Sequence, residues 1–222
     1  YFDIETFFND YFNKDIKIVY LCNPNNPTGT EFSKEVILSL LKEFNSTLFV
    51  IDEAYYEFSN NTVADIVENH ENLVISRTLS KGFCLAGFRL GYMVANKTLI
   101  SAVNKIRNPK NISTISQIAC LAALSDINYM KNYVEEISIS KKYFIEELKD
   151  MGFDVLHGGG NYVSIKIAPN YVKNLVDYLK ANLVYVRDYS HVEKMEGYIR
   201  ITIGKKLDMI RVVDILKNYS EI

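Results

Sequence analysis

Through the first half of the chain, short continuous apolar runs alternate with polar, turn-forming stretches. Ile18-Val19-Tyr20-Leu21 and Leu48-Phe49-Val50-Ile51 are two such runs. The second has the pattern of a strand buried on both faces of a parallel sheet. Leu73 to Ser76 and Leu90 to Ala95 predict two further strands. Val36, Ile37, Leu40, Leu41 and Phe44 recur at helical spacing behind Ser33, whose hydroxyl suits an N-cap, so a helix is predicted through Phe44. Asn108-Pro109 interrupts the pattern, because a residue before proline is driven out of the helical region. We expect a domain boundary there, with one domain over 1–112 and a second over 113–222. Beyond it, Ser113 to Leu124 and Met130 to Met151 predict helices. The second carries a stripe of Met130, Tyr133, Val134, Ile137, Phe144, Leu148 and Met151 and stops at Gly152. The period then becomes two. Val163, Ile165 and Ile167 share one face of Tyr162 to Ile167, and Ile199, Ile201 and Ile203 lie opposite Tyr198, Arg200 and Thr202. With helices over Tyr171 to Ala181 and Leu207 to Tyr219, the expected fold is α/β. A mainly parallel sheet is followed by a small α+β domain.

Composition narrows the function classes. The 222 residues suffice for one large domain or two small ones, and a hydrophobic fraction of 48% is ample for a core. No uninterrupted apolar stretch reaches the ~18 residues a membrane helix needs. A net charge of -2 without a basic run argues against nucleic acid or an anionic membrane as partner. The start Tyr1-Phe2-Asp3-Ile4-Glu5 carries no charged leader or apolar signal region, so nothing points to export. Cys22, Cys84 and Cys120 are odd in number, lack metal spacing and read as free thiols of a reducing cytosol, with Cys84 expected as a small buried hydrophobe. His70, His157 and His191 show no metal spacing. Gly158-Gly159-Gly160 is not followed by Gly-Lys-Ser/Thr, so it reads as a flexible turn and not a phosphate loop.

The chemistry concentrates in Arg77-Thr-Leu-Ser-Lys-Gly-Phe-Cys-Leu-Ala-Gly-Phe-Arg-Leu-Gly91. Lys81 and Arg89 stand among small and apolar residues. A partly desolvated lysine keeps its amine unprotonated near neutral pH and can condense with an aldehyde. A guanidinium offers a planar fork for phosphate oxygens. Together they suit a ligand that is both carbonyl and phosphate, as pyridoxal 5'-phosphate is. Taken alone, both side chains read equally as surface charges near a turn. Two upstream segments change that balance. Cys22-Asn-Pro-Asn-Asn-Pro-Thr-Gly-Thr30 follows the first apolar run, and Asp52-Glu-Ala-Tyr55 follows the second. Polar groups at successive strand ends lie where open α/β sheets bind ligands.

These segments and their order resemble the class I/II aminotransferase family of fold-type I pyridoxal-phosphate enzymes. The resemblance is nearest to the histidinol-phosphate aminotransferase branch and to threonine-phosphate decarboxylase. It runs from Asn-Asn-Pro-Thr-Gly to Arg200-Ile-Thr-Ile-Gly204, nearly the whole chain. It implies that the first domain is part of the cofactor-binding large domain. It also implies that the chain is the C-terminal portion of a longer protein, without the N-terminal arm, a glycine-containing turn that holds cofactor phosphate, and a tyrosine lent by a partner subunit.

The resemblance implies the following roles. Lys81 condenses with the cofactor aldehyde and later moves the proton at the substrate α-carbon. Asp52 pairs with the pyridine nitrogen and keeps the ring an electron sink. Tyr55 and Asn26 hydrogen-bond the ring hydroxyl, and Thr78, Ser80 and Arg89 bind the cofactor phosphate. Arg200 takes the substrate carboxylate, Asn161 matches a polar position of the family, and Arg187 grips a substrate phosphate. Plainer readings stand beside these. Asp52 reads also as a cap for the segment after it, Tyr55 as core, and Arg200 as half of an ion pair. Amino transfer and decarboxylation use the same lysine, aspartate and arginines, so both stay open, as does an inactive truncated module. The implied setting is a cytoplasmic homodimer acting on a small-molecule amino donor and a keto acid, without metal.

Overall fold

Four strands of the first half form one sheet in the order β1-β2-β3-β4: β1 (Ile18–Cys22), β2 (Leu48–Asp52), β3 (Leu73–Thr78) and β4 (Gly91–Ala95). β1, β2 and β3 are parallel, and β4 closes one edge antiparallel to β3. The computed structural model describes residues 4–11 and 14–219. The helices of this half are α1 (Ile4–Tyr11), α2 (Lys34–Glu43), the short α3 (Tyr56–Ser59), α4 (Lys97–Ile106) and α5 (Thr114–Ser125). Ser33 caps α2 by accepting from the Val36 N–H. Ile37, Leu40, Leu41 and Phe44 then bury against Phe49 and Ile51 of β2 and Leu73 and Ile75 of β3. The apolar runs read as strands are thus core strands, as their lack of alternation required. α4, which the sequence reading did not anticipate, starts at Asn96, whose side chain accepts from the Leu99 N–H at 3.0 Å.

The second half begins with α6 (Ile127–Asp150), which ends at Gly152 with φ of +85°. β5 (Asp154–His157), β6 (Tyr162–Lys166), β7 (Arg187–Asp188) and β8 (Tyr198–Thr202) form an antiparallel sheet in the order β5-β6-β8-β7. α7 (Pro169–Ala181) and α8 (Lys206–Lys217) complete this half. Val163, Ile165, Ile199 and Ile201 are buried, as the period-two pattern predicts. The strand expected over Val184 to Asp188 shrinks to its last two residues. Leu183 has φ of +60°, and the Val184 N–H bonds back to the Leu179 carbonyl at 2.8 Å, so the chain stays on the end of α7 until Arg187.

Two compact units result, residues 1–25 with 30–130, and residues 26–29 with 131–222. The division falls inside α6 and not at Asn108-Pro109. The Ser116 hydroxyl of α5 donates to the Phe88 carbonyl at 2.9 Å and holds that helix in the first unit. Among the described residues, no helix is long and apolar enough to cross a membrane.

Candidate functional site

Parallel strands deliver their last residues to one edge. Cys22, Asp52 and Ser76 are register partners at the carboxyl ends of β1, β2 and β3. The loop after β1 is fixed by Asn23, fully buried, whose backbone N–H donates to the Asp52 carbonyl at 2.8 Å and whose side-chain oxygen accepts from the Phe32 N–H at 2.8 Å. Asp52 performs the capping role that its position suggested, since Oδ1 accepts from the Ala54 N–H at 3.0 Å. Its other oxygen accepts from the Tyr20 hydroxyl. Burial first, and then the Asp52 carboxylate, push the Tyr20 phenol up to about 12, so it remains a neutral donor. Burial and Asp52 also raise the Cys22 thiol. The sequence reading passed over Tyr20. The available signal was its place two residues before Cys22, hence on the same strand face.

Past Asp52 the chain turns through Tyr55, which is buried as a core reading expected. The Lys81 ammonium lies 5.5 Å from the centre of the Tyr55 ring, within cation–π range. The segment carrying Lys81 folds on itself. Leu79 donates to the Leu90 carbonyl at 3.1 Å, Leu85 to that of Leu79 at 3.0 Å, and Cys84 to that of Lys81 at 3.1 Å. Gly82 is buried against Glu57, where an added Cβ would come within 2.7 Å of the Glu57 Cβ. Cys84 is exposed with φ of +58°, so the expectation of a buried thiol fails. It occupies a left-handed position of this tight loop, which turns it away from any core.

Thr78 ends β3, and its hydroxyl lies 2.8 Å from the Ser80 hydroxyl and 3.0 Å from the Leu90 carbonyl. Arg89, directly before Leu90, has φ of +54° and directs its guanidinium to the Ala86 carbonyl at 3.1 Å. Thr78, Ser80 and the backbone at Arg89 are therefore neighbours through the β3–β4 pairing. Beneath them lies a buried ion pair. The Glu53 carboxylate receives Arg77 Nε at 2.9 Å, the Thr62 hydroxyl at 2.8 Å and the Val63 N–H at 3.0 Å. Glu57 is 8% exposed, one of its carboxyl oxygens is buried without a partner, and burial raises its pKa.

The second unit holds the other candidates. Asn26 belongs to it, and its side-chain oxygen accepts from Arg200 Nη1 at 2.5 Å and from the Tyr189 hydroxyl at 3.3 Å. The Arg200 guanidinium lies 4.9 Å from the Tyr162 ring and 5.5 Å from the Tyr189 ring, and its Nε is buried with no hydrogen-bond partner. Among the described residues Arg200 forms no ion pair, and its contacts are instead with Asn26, Tyr162 and Tyr189. Arg187 is its register partner across β7 and β8. Directly opposed residues on antiparallel strands project to the same face, and like charges there repel. The Asn161 carbonyl accepts from the Ile203 N–H at 2.9 Å. No cluster of three His, Cys, Asp or Glu suited to a metal occurs among the described residues.

So arranged, Asp52, Tyr55, Thr78, Ser80, Lys81 and Arg89 all lie in the first unit, and Asn26, Asn161, Arg187 and Arg200 in the second. Comparison with known proteins gives this arrangement a family. The family model described as aminotransferase class I and II matches residues 3–216. The chain is 39% identical over 221 residues to a dihydroxyacetone phosphate transaminase of Campylobacter jejuni, covering 96% of this chain and 58% of that protein. A histidinol-phosphate aminotransferase of Sinorhizobium meliloti, solved in complex with pyridoxal-5'-phosphate, superposes with a TM-score of 0.87 at 27% identity, over 97% of this chain and 61% of that one. An L-threonine-O-3-phosphate decarboxylase of Porphyromonas gingivalis does so with a TM-score of 0.83 at 25% identity, over 94% and 66%. The chain thus spans about 58% of the length of the curated relative. Its fold is that of the fold-type I pyridoxal-phosphate enzymes, and by the match over residues 3–216 it belongs to the aminotransferase class I and II family.

Proposed function

We propose that the full-length protein is a pyridoxal-phosphate-dependent aminotransferase of a small phosphorylated amino compound. The observation that carries the cofactor reading is the grouping at one sheet edge. The Asp52 carboxylate ends β2, the Lys81 amine lies 5.5 Å from the Tyr55 ring, and the hydroxyls of Thr78 and Ser80 stand 2.8 Å apart beside the Arg89 backbone. This donor set fits a phosphorylated pyridine aldehyde. The cofactor, when bound, supplies an aldehyde for the substrate amine and an electron sink for the α-carbon. Asp52 keeps a proton on the ring nitrogen, and its Tyr20 hydrogen bond fixes the carboxylate's orientation. Tyr55 would donate to the ring hydroxyl, a role assigned to Asn26 as well on the family resemblance alone. Thr78, Ser80 and Arg89 hold the phosphate. Lys81 would supply the amine that holds the cofactor aldehyde and, when that amine is free, the group that moves a proton at the substrate α-carbon.

Arg187 and Arg200 support the substrate class. Two opposed arginines on one sheet face are relieved by an anion, and Arg200 keeps a buried Nε without a partner. We assign the substrate carboxylate to Arg200, with Asn161 nearby in sequence to the same unit's β6, and the substrate phosphate to Arg187. The three relatives named above all have a phosphate ester in their names. Decarboxylation of a phosphorylated amino acid is the second reading, favoured by the likeness to the Porphyromonas enzyme. A cytoplasmic homodimer is the assembly we assign to the full-length protein on the family resemblance.

The test is borohydride reduction of the full-length protein loaded with cofactor, followed by peptide mapping. The label is expected on Lys81, and a label on another lysine would overturn the assignment. Assays with histidinol phosphate, threonine phosphate and serine phosphate, following amino transfer and carbon dioxide release together, then separate the two readings.

A further inference from the structure

We propose that Lys141 is a positioning residue for Arg200, acting through the glycine turn at 158–160 and the loop 26–29. Lys141 lies on α6, outside every segment that carries the cofactor or substrate roles assigned above. Its ammonium donates to the Gly158 carbonyl and, at 2.6 Å, to the Gly160 carbonyl. Those two carbonyls flank Gly159, whose N–H donates to the Gly29 carbonyl at 2.9 Å. The turn and the loop meet backbone to backbone. A Cβ built on Gly29 would lie 2.8 Å from the Gly158 nitrogen, and Gly29 itself has φ of +78°. The sequence reading of a flexible turn is therefore replaced by a clamped one.

The clamped loop leads directly to the guanidinium. Three residues before Gly29, Asn26 accepts from Arg200 Nη1 and from the Tyr189 hydroxyl. Between them, the Pro27 carbonyl faces the Ser164 hydroxyl at 3.5 Å, and Ser164 is the register partner of Arg200 across β6 and β8. All these residues belong to one compact unit. A charge-assisted bond is roughly twice as strong as a neutral one, so one lysine fixing two carbonyls is well suited to stiffen a three-glycine turn that has no side chains of its own. A stiff turn fixes Gly29, Gly29 fixes Asn26, and Asn26 sets the direction of Arg200. Preorganising an anion-binding arginine reduces the ordering cost of ligand binding. The inference deepens the proposed role of Arg200 and rests on it.

The experiment uses the full-length protein with Lys141→Met and Lys141→Arg, and with Lys141→Gln as a second neutral variant should methionine be poorly tolerated. Amide exchange of the peptide covering residues 157–162 is followed by mass spectrometry. Binding of O-phosphothreonine to cofactor-free protein is followed by calorimetry. The neutral variants should exchange the peptide at least tenfold faster and bind O-phosphothreonine about tenfold more weakly, and Lys141→Arg should restore both. Unchanged exchange in a folded neutral variant overturns the clamp. Faster exchange with unchanged binding overturns its link to Arg200. Arg200→Met is the control for the underlying reading. If it binds O-phosphothreonine as tightly as the parent, the carboxylate assignment fails, while the exchange data still judge the clamp.

Discussion

Arg77→Met should be among the most damaging single changes to the stability of this protein that touch no proposed ligand. The Glu53 side chain is fully buried and that of Arg77 is 12% exposed, with their closest atoms 2.8 Å apart. Burial by itself would lower the arginine's pKa, but hydrogen bonds with Tyr92 and Glu53 outweigh it and hold the guanidinium charged. The guanidinium also lies 3.6 Å from the Tyr56 ring centre and donates to the Thr62 hydroxyl at 2.7 Å. Removing one partner of a buried pair typically costs about 3–5 kcal/mol, because the remaining charge is stranded. Here Thr62 and the Val63 N–H stay on Glu53, at 2.8 and 3.0 Å. The lower end, about 3 kcal/mol, is therefore expected. Denaturant unfolding of parent, Arg77→Met, Glu53→Gln and the double variant measures the pair as a cycle. The double variant strands no charge and should recover all but about 1 kcal/mol. A cost below about 1 kcal/mol for Arg77→Met, or simple additivity of the two single changes, would refute the reasoning. The pair matters beyond stability, since Glu53 follows Asp52 and its N–H donates to the Ser76 carbonyl at 2.9 Å, tying the strand ends that present the site.

Other expectations follow from the same geometry. Asp52→Ala in the full-length enzyme should leave cofactor binding largely intact while severely reducing kcat, and near-normal turnover would show that the ring nitrogen has a different partner. Arg187 is exposed, so its loss should cost about 1.5 kcal/mol, the lower end for a charged hydrogen bond. Arg187→Ala should accordingly lower kcat/KM for a phosphorylated substrate roughly tenfold and leave an unphosphorylated analogue unaffected, and equal losses on both would remove the phosphate assignment. Burial raises the Glu57 pKa from the ordinary 4.5, so the folded state holds that proton more tightly than the unfolded one. Its stabilising contribution is complete below 4.5 and is lost as pH rises through the raised value. Glu57→Gln should flatten that decline in denaturation curves taken from acid to neutral pH, and an unchanged decline would assign it to other groups.

The sequence by itself determined most strands and the longer amphipathic helices, because each depends on local pattern, while β5 was not anticipated. Phe49 and Ile51 had to be core in a run without polar alternation, Ser33 had to cap a helix, and Ile199 and Ile201 had to share a buried face. That Asp52 ends a strand and that Lys81 and Arg89 lie in a tight turn was legible, because strand ends and turns are written in neighbouring residues; the roles proposed for them came from the family resemblance. Long-range pairing was not legible. Nothing near Tyr20 in the chain announces that its hydroxyl meets Asp52, 32 residues on. Lys141 reads as one of several lysines on an amphipathic helix until the turn at 158–160 is folded against it. Asn26, expected beside the cofactor ring, also accepts from Arg200, 174 residues away, a contact that nothing in the sequence announces. The division inside α6 was hidden for the same reason, because Ser116 reaches back to Phe88 and carries α5 into the first unit. Side-chain period and turn chemistry act over a few residues, whereas which buried donor meets which acceptor is decided only when the sheets close.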